Sequence, residues 1–429
     1  MSRLRVWANA RPMGWLRNEG GAYHFMYDAE WLENSGGFVL APQFPLEAKE
    51  FSGHLVKEFF QNLLPEGDAL DAVLQQLQLR DSASTYETIG LLGNELPGVL
   101  SVLQEDVEKR SIQKYQPLEF DELSKRIKNR DRVPLLLSNS EGRMSLAGAQ
   151  DKFSARFDKK SHAIRESLDG SPTTHILKPD MRVRETEDGK KLYEHSTINE
   201  FSCMKLAKVL GLLVPDVWLV RVPEPVYLID RYDREVVSGN IVPLHQIDGC
   251  QFLGQSGGEW KYETDGELVS LRKLANAFRE VRVPAKDMLQ FQRWVMFNYL
   301  IGNSDAHAKN ISVLINDKGY NIAPFYDLIC ERVYIVRGLA LFIGGEKEFD
   351  QVGRHSWDAF CQDCRFQLPE FLKEFRKMAE KLLPAWQKVL TEIEKKNSPT
   401  EGETKLLERM TAVFDGQVQN ALSMTAKSN

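Results

Sequence analysis

The stretch Phe297-Asn-Tyr-Leu-Ile-Gly-Asn-Ser-Asp305-Ala-His-Ala-Lys-Asn310-Ile-Ser-Val-Leu-Ile315 decides the reading of this chain. Its apolar start closes an expected helix over 285–300, where Met288, Phe291, Val295 and Phe297 recur at helical spacing. A polar loop follows, and 311–315 reads as a strand. Within the loop, Asp305 and Asn310 stand five positions apart. Phosphoryl transfer from ATP needs a carboxylate to orient the attacking hydroxyl and accept its proton. It also needs an oxygen ligand for magnesium nearby, and Asp-x4-Asn in one loop meets both needs. Residues 311–315 and 320–323 flank Asn316-Asp-Lys-Gly319, the makings of a β-hairpin. The hairpin delivers the chain to Pro324-Phe-Tyr326-Asp327, where a second carboxylate would complete the magnesium site. Plainer roles exist: Asp305 as a turn residue ending the helix, Asp327 as the cap of the next element. The spacing alone recurs by chance, so the hairpin and Asp327 are what make a phosphoryl-transfer site coherent.

Upstream, Thr174-His-Ile-Leu-Lys178 ends an apolar strand with a lysine suited to the α- and β-phosphates of ATP. Glu200, on an expected helix over 198–210, is a candidate partner for that lysine. Thr197-Ile-Asn-Glu200 also reads as a capping box, which would commit the same carboxylate to the helix start, and both readings stand. Val226-Tyr-Leu-Ile-Asp230-Arg231-Tyr232-Asp233 ends another strand, as a backbone edge for adenine or as an ordinary strand end. In Ser145-Leu-Ala147-Gly148-Ala149-Gln150-Asp151-Lys152, small residues let backbone N–H groups approach phosphates. This loop is neither Gly-x-Gly-x-x-Gly nor a Walker A sequence.

At 429 residues the chain has room for two or three domains, and 42% hydrophobic with 27% charged residues is a globular balance. A formal charge of −6 excludes a surface that is basic throughout, though not a local basic patch. No apolar run reaches membrane-spanning length, and the first residues lack the apolar stretch of a signal peptide, so a cytoplasmic protein is expected with no membrane partner. Five cysteines, mostly in apolar segments, fit reduced thiols. Cys361 and Cys364 form a C-x-x-C without a second Cys/His pair nearby, so buried thiols are favoured over half a zinc site or a redox pair. Strands are expected at 4–7, 22–27, 153–157, 174–178, 217–222 and 226–230, and a helix at 51–64. Residues 105–132 read as a charged, exposed stretch. A helix over 371–396 should be kinked or split by Pro384. The sum is an α+β, bilobal, kinase-like fold: a strand-rich N-terminal lobe, an all-helical C-terminal lobe and a nucleotide cleft between them. The expected domains are a strand-rich subdomain over 1–104, a kinase N-lobe over 105–235 and a helical C-terminal lobe over 236–429.

Together these segments resemble the HipA family, the serine/threonine kinase toxins of bacterial HipA–HipB type toxin–antitoxin modules. The resemblance spans nearly the whole chain. It includes Leu64-Pro-Glu-Gly67, Leu96-Pro-Gly-Val-Leu100, the Ser145–Lys152 loop, Lys178, Asn199-Glu200 and Asp230-Arg-Tyr-Asp233, then Asn303-Ser-Asp-Ala-His-Ala-Lys-Asn310 and Pro324-Phe-Tyr-Asp327. It implies ATP and Mg2+ as cofactors, with Asp305 as catalytic base and Asn310 and Asp327 as magnesium ligands. For ATP it implies Lys178, His307, Ala308, Lys309, Tyr326, the loop Ala147, Gly148, Ala149, Gln150, Asp151 and Lys152, and the backbone of Asp230, Arg231 and Tyr232. Ser145 would be an autophosphorylation site that ejects the loop and silences the kinase. The implied partners are a HipB-like helix-turn-helix antitoxin, operator DNA through that antitoxin, and a protein of the translation machinery, glutamyl-tRNA synthetase in the best-known members. The chain departs from eukaryotic kinases in lacking His-Arg before Asp305 and in having Tyr-Asp-Leu for Asp-Phe-Gly. From the HipA pattern it departs mildly, with Asp151 and Asp230 at positions where glutamate is often found. Two rival functions remain: a kinase of a lipid or small molecule, and a non-catalytic co-repressor that holds an antitoxin on DNA.

Overall fold

The structure is a computed structural model. It describes residues 3–426, apart from 81–83, 108, 110–112, 138–145, 147, 149, 188, 190 and 265–267. The chain divides into two compact units interleaved in sequence. One comprises Met1–Pro179, Arg221–Lys261 and Ser312–Ala323; the other comprises Asp180–Val220, Tyr262–Ile311 and Pro324–Asn429. The expected boundaries at residues 104 and 235 both fall within the first unit, and the chain passes between the two units five times.

In the first unit, a five-stranded antiparallel sheet is ordered Glu50–Ser52, Ala22–Tyr27, Arg11–Glu19, Leu4–Ala8, Leu100–Gln104. Alternation in Leu4–Ala8 buries Leu4, Val6 and Ala8 on one face. The strand Arg11–Glu19 was not among the strands expected from the sequence. Beneath the sheet, Phe25 meets Tyr27 and Phe44 edge-on, with centroids 4.9 and 6.1 Å apart. The Tyr27 hydroxyl donates to Phe44 O and accepts from Leu40 N, both at 2.7 Å, which satisfies a buried polar group.

A second antiparallel sheet includes, in order, Pro225–Asp230, His175–Pro179, Phe153–Phe157, Ile164–Leu168 and Lys114–Pro117. The stretch 105–132, expected to be charged and exposed, supplies the last of these strands and the helix Phe120–Lys128. Leu123 and Ile127, four apart, are buried, and that pair is enough to seat the helix. A third sheet pairs His245–Asp248 with Ser312–Asn316, which pairs in turn with Gly319–Ile322 as the expected hairpin. The chain after residue 236 is therefore not all-helical. It carries Asn240–Pro243 and these three strands, all in the first unit.

The second unit is built mainly from helices: Ser196–Val209, Leu271–Glu280, Ala285–Leu300, Arg354–Asp363, Leu368–Asn397 and Glu401–Met424. Trp294, Trp357 and Trp386 are fully buried among them. Pro384 lies inside Leu368–Asn397 without dividing it. On its C-terminal side, Trp386 packs on Phe414 at 5.0 Å and its indole N–H donates to Thr411 Oγ1 at 2.8 Å, so packing outweighs the lost backbone bond. Among the described residues no helix is long and apolar enough to cross a membrane. All five cysteines are free and buried, and burial pushes the Cys361 thiol up to about 12, as inert thiols require.

Candidate active site

The site begins where the helix Ala285–Leu300 stops. Gly302 takes a φ of +66°, which suits glycine. Its N–H donates to Tyr299 O at 3.2 Å and Asn303 N–H to Asn298 O at 2.9 Å, the paired bonds of a Schellman ending. A Cβ on Gly302 would meet Val413 Cγ1 at 3.0 Å and Arg332 Cβ at 3.2 Å, so the turn is closely packed as well.

Asn303 then fixes the loop. Its buried amide donates to Asn298 Oδ1 at 2.7 Å and to the Asp327 carbonyl at 3.5 Å, while its oxygen accepts from Asp305 N–H at 3.1 Å. One side chain thus spans the helix end, the residue expected as base and the residue expected as metal ligand. Asn310 closes the loop by donating its amide N–H to Asp305 O at 2.9 Å. Among the described residues none is hydrogen-bonded to the Asn310 amide oxygen. An amide oxygen and the Asp327 carboxylate are hard donors of the kind magnesium takes, and so few protein ligands are usual when phosphates and water complete the shell. The donor set therefore fits the ion. Among the described residues no group of three or more His, Cys, Asp or Glu gathers as for other metals.

Around the Asp305 carboxylate, Tyr262 donates its hydroxyl to Oδ1 at 3.0 Å and Arg337 Nη2 lies 2.5 Å from the same oxygen. Arg337 also binds Glu331, which accepts from Ser304 and Tyr193 at 2.5 and 3.2 Å. Burial pushes the Glu331 carboxyl above its ordinary range and the Asp305 charge adds to this, while Arg337 and Ser304 pull it back. Burial likewise raises the Tyr262 phenol and takes that of Tyr193 up to about 12, so both remain donors at neutral pH. For Arg337, burial opposes the charge, but Asp305 and Glu331 outweigh it and hold the guanidinium above its usual value.

Asp327 has a φ of +58°, a left-handed conformation uncommon outside glycine, asparagine and aspartate. The chain beyond it is clamped by the buried Asn199, whose amide donates to Cys330 O at 3.0 Å and accepts from Cys330 N–H at 2.9 Å. Asn199 sits on the helix Ser196–Val209, whose start is served by Asp180. That carboxylate accepts from Thr197 N–H and Oγ1 at 2.8 and 2.7 Å. The expected Thr197–Glu200 capping box is thereby corrected: Thr197 is already inside the helix, with His195 at the N-cap. Nearby, Tyr326 donates to Lys309 O at 2.7 Å, Tyr262 meets His307 edge-on at 5.4 Å, and Ala308 and Lys309 are buried.

Asp305, His307, Ala308, Lys309, Asn310, Tyr326 and Asp327 thus share the second unit. Lys178, Gly148, Gln150, Asp151, Lys152, Asp230, Arg231 and Tyr232 belong to the first. Ser145, Ala147 and Ala149 lie outside the described residues. Lys178, on the strand His175–Pro179, is buried with its ammonium 5.8 Å from the Tyr227 ring centroid. Gly148 has a φ of +105°, and a Cβ there would stand 2.6 Å from the Lys152 ammonium. That cation beside bare backbone is a cradle suited to a phosphate. Gly148 O accepts from Glu66 N–H at 3.3 Å, and Glu66 pairs with Lys261 at 2.9 Å, which gives the Leu64-Pro-Glu-Gly67 motif a structural task. The Asp230 carboxylate is bound by His175 and Lys159 at 2.8 and 2.5 Å. The Arg231 N–H donates to Thr174 O at 2.8 Å and its guanidinium is buried against Glu95 and Asp233.

Arg337, Glu331, Tyr262 and Asn303 were absent from the expected site. Asn303 could have been found, since it lies in the quoted motif. The other three carry no local signal.

The family of HipA-like C-terminal domains matches residues 144–386, and that of HipA N-terminal domains matches 4–103. The protein Y4mE of Sinorhizobium fredii is 31% identical over 399 residues, covering 90% of this chain and 91% of that protein. The serine/threonine-protein kinase toxin HipA of Shewanella oneidensis is 31% identical over 340 residues, covering 76% and 73%. A solved structure of the Shewanella oneidensis HipA, HipB and operator DNA complex matches in fold with a TM-score of 0.83 over 98% of both chains, at 24% identity. With both domain families matched in order and the relatives aligned through most of its length, the chain belongs to the HipA family of serine/threonine kinase toxins.

Proposed function

We propose that this chain is the toxin of a HipA–HipB type module and uses ATP to phosphorylate a serine or threonine on a protein of the translation machinery, an aminoacyl-tRNA synthetase such as glutamyl-tRNA synthetase. The observation that carries the reading is the Asn303 amide, which ties the Asp305 backbone and the Asp327 carbonyl to one helix end. A base and a metal ligand held to a common anchor suit in-line transfer, which depends on positioning more than on covalent chemistry.

In this reading Asp305 orients the acceptor hydroxyl and takes its proton. Asn310 and Asp327 hold magnesium, while Lys178, His307 and Lys309 face the phosphates, with Ala308 and Tyr326 beside them. The loop of residues 147–152 covers the phosphates, and the strand end at Asp230 and Tyr232 lies along adenine. Bound magnesium supplies neutralisation of charge on the β- and γ-phosphate oxygens. Ser145 is the self-phosphorylation site; a phosphoserine carries about −1.5 to −2 charges, which repel ATP's own and hold the loop away.

The Shewanella complex contains HipB and operator DNA. By likeness, this chain binds a HipB-like helix-turn-helix antitoxin in the cytoplasm and co-represses its operon. Its net charge of −6 leaves the DNA contacts chiefly to that antitoxin. Purified protein incubated with labelled ATP and magnesium, alone and with cell lysate, tests the reading beside an Asp305→Gln variant. Label is expected on Ser145 and on one lysate protein, and on neither with the variant. A wild type that transfers nothing overturns the kinase reading and favours the non-catalytic co-repressor.

A further inference from the structure

A carboxylate that serves as base must present one oxygen to the acceptor hydroxyl at hydrogen-bonding distance, yet rotation about its terminal torsion is soft. In this chain both contacts to the Asp305 carboxylate fall on one oxygen. Oδ1 takes the Tyr262 hydroxyl at 3.0 Å and Arg337 Nη2 at 2.5 Å. Among the described residues nothing is hydrogen-bonded to Oδ2.

Arg337 is itself held. Its Nε donates to Glu331 Oε2 at 2.9 Å and its Nη2 lies 2.8 Å from Oε1, a fork on both oxygens of one carboxylate. The Glu331 side chain is 4% exposed, against 35% for Arg337 and 33% for Asp305, so the fixed end is buried and the working end is reachable. The segment that carries Arg337 is tied to the base loop on both sides. Arg332 N–H donates to Gly302 O and Ala340 N–H to Ser304 O, each at 3.1 Å.

We infer that Arg337 is a positioning residue for the phosphoryl transfer: anchored by buried Glu331 and joined by Tyr262, it fixes Asp305 Oδ1 so that Oδ2 faces the acceptor hydroxyl. The inference rests on the kinase reading of Asp305. It accounts for arginine at this position, because a lysine ammonium cannot grip both oxygens of Glu331 and still reach Asp305 with the same planar fork. Proton transfer stays with Asp305, and Arg337 touches neither ATP nor the hydroxyl.

The test compares wild type, Arg337→Ala, Arg337→Lys and Asp305→Asn. It measures the maximal rate of self-labelling from ATP, the ATP concentration at half-maximal rate, ATP affinity and the melting temperature. In Arg337→Ala the maximal rate should fall about 10–100-fold, the scale of a misplaced reacting group. ATP affinity and half-saturation should stay within about twofold, since the lost interaction serves the transition state. Arg337→Lys should fall between wild type and Arg337→Ala. Added guanidinium ion should restore part of the rate to Arg337→Ala and none to Asp305→Asn. An Arg337→Ala variant as fast as wild type overturns the inference. So does one whose rate loss is matched by lost ATP affinity or a collapsed melting temperature without guanidinium rescue. Wild type that transfers no label overturns the kinase reading and this inference together, whereas active wild type with an equally active Arg337→Ala overturns the inference alone.

Discussion

Asp327 is one of several described non-glycine residues held in the left-handed region of backbone geometry. A non-glycine residue at a φ of +58° costs of order 1 kcal/mol, and such strain is tolerated where a side chain is needed. Asp327→Gly should therefore keep or raise the melting temperature, because glycine accepts this conformation, while self-labelling with ATP disappears. Calorimetry and a labelling assay on the same sample check both halves. Asn303 behaves oppositely. Asn303→Ala strands the Asp305 N–H and the Asn298 amide in a buried place, at a cost of roughly 1–3 kcal/mol. Urea unfolding should show that loss, with activity falling alongside stability. At this scale the sequence was legible only where the residues are close along the chain. Asp305 and Asn310 share one loop and Asp327 follows one hairpin later. Tyr262 and Arg337 reach Asp305 from distant segments, and nothing around either residue announces an ion pair or hydrogen bond that only the fold brings about.

Among the elements, the strand Pro225–Asp230 ends in a buried cluster. Arg231 pairs with Glu95 and Asp233 at 2.9 and 3.0 Å, and Arg234 pairs with the same two acids at 3.0 and 2.8 Å. Asp233 also accepts from Gly98 N–H at 2.9 Å, so the Leu96-Pro-Gly-Val-Leu100 motif is a docking turn for this strand end. Burial opposes ionisation of Asp233, but the two guanidinium groups overcome it and hold its carboxyl down to about 2. A lowered carboxyl contributes stability that is whole above its unfolded value of 3.8 and is lost as pH falls through about 2. Denaturant unfolding from pH 5 downward should show wild type losing about 2 kcal/mol from this group across that window. Asp233→Ala should be weaker by roughly 3–5 kcal/mol at neutral pH and lack that part of the acid dependence. A flat profile in wild type would contradict this. The helix Ala285–Leu300 and the hairpin were legible because each has a clean period and a marked end. The strand Arg11–Glu19 was not, because Pro12, Gly14 and its charged residues blur the alternation. Helix Phe120–Lys128 was hidden in charge, with few buried apolar residues to mark it.

For the molecule as a whole, the α+β character and the family were readable from motifs spread along nearly the full chain. The interleaving of the two units was not, because it depends on which distant segments pair. If Asn310 and Asp327 hold magnesium with ATP, nucleotide must stabilise the fold by mass action, by about 2.7 kcal/mol at a hundred times its dissociation constant. The melting temperature should rise with ATP and magnesium, rise less when EDTA is added, and rise little in Asp327→Ala. An equal rise in all three would remove the metal role from these residues. The claim on which everything else depends is that Asp305 is the base. Single-turnover transfer from labelled ATP, with ATP affinity measured on the same proteins, compares wild type with Asp305→Asn most directly. The prediction is unchanged ATP affinity with transfer slowed roughly 10²–10⁴-fold; a variant that transfers at the wild-type rate would contradict it.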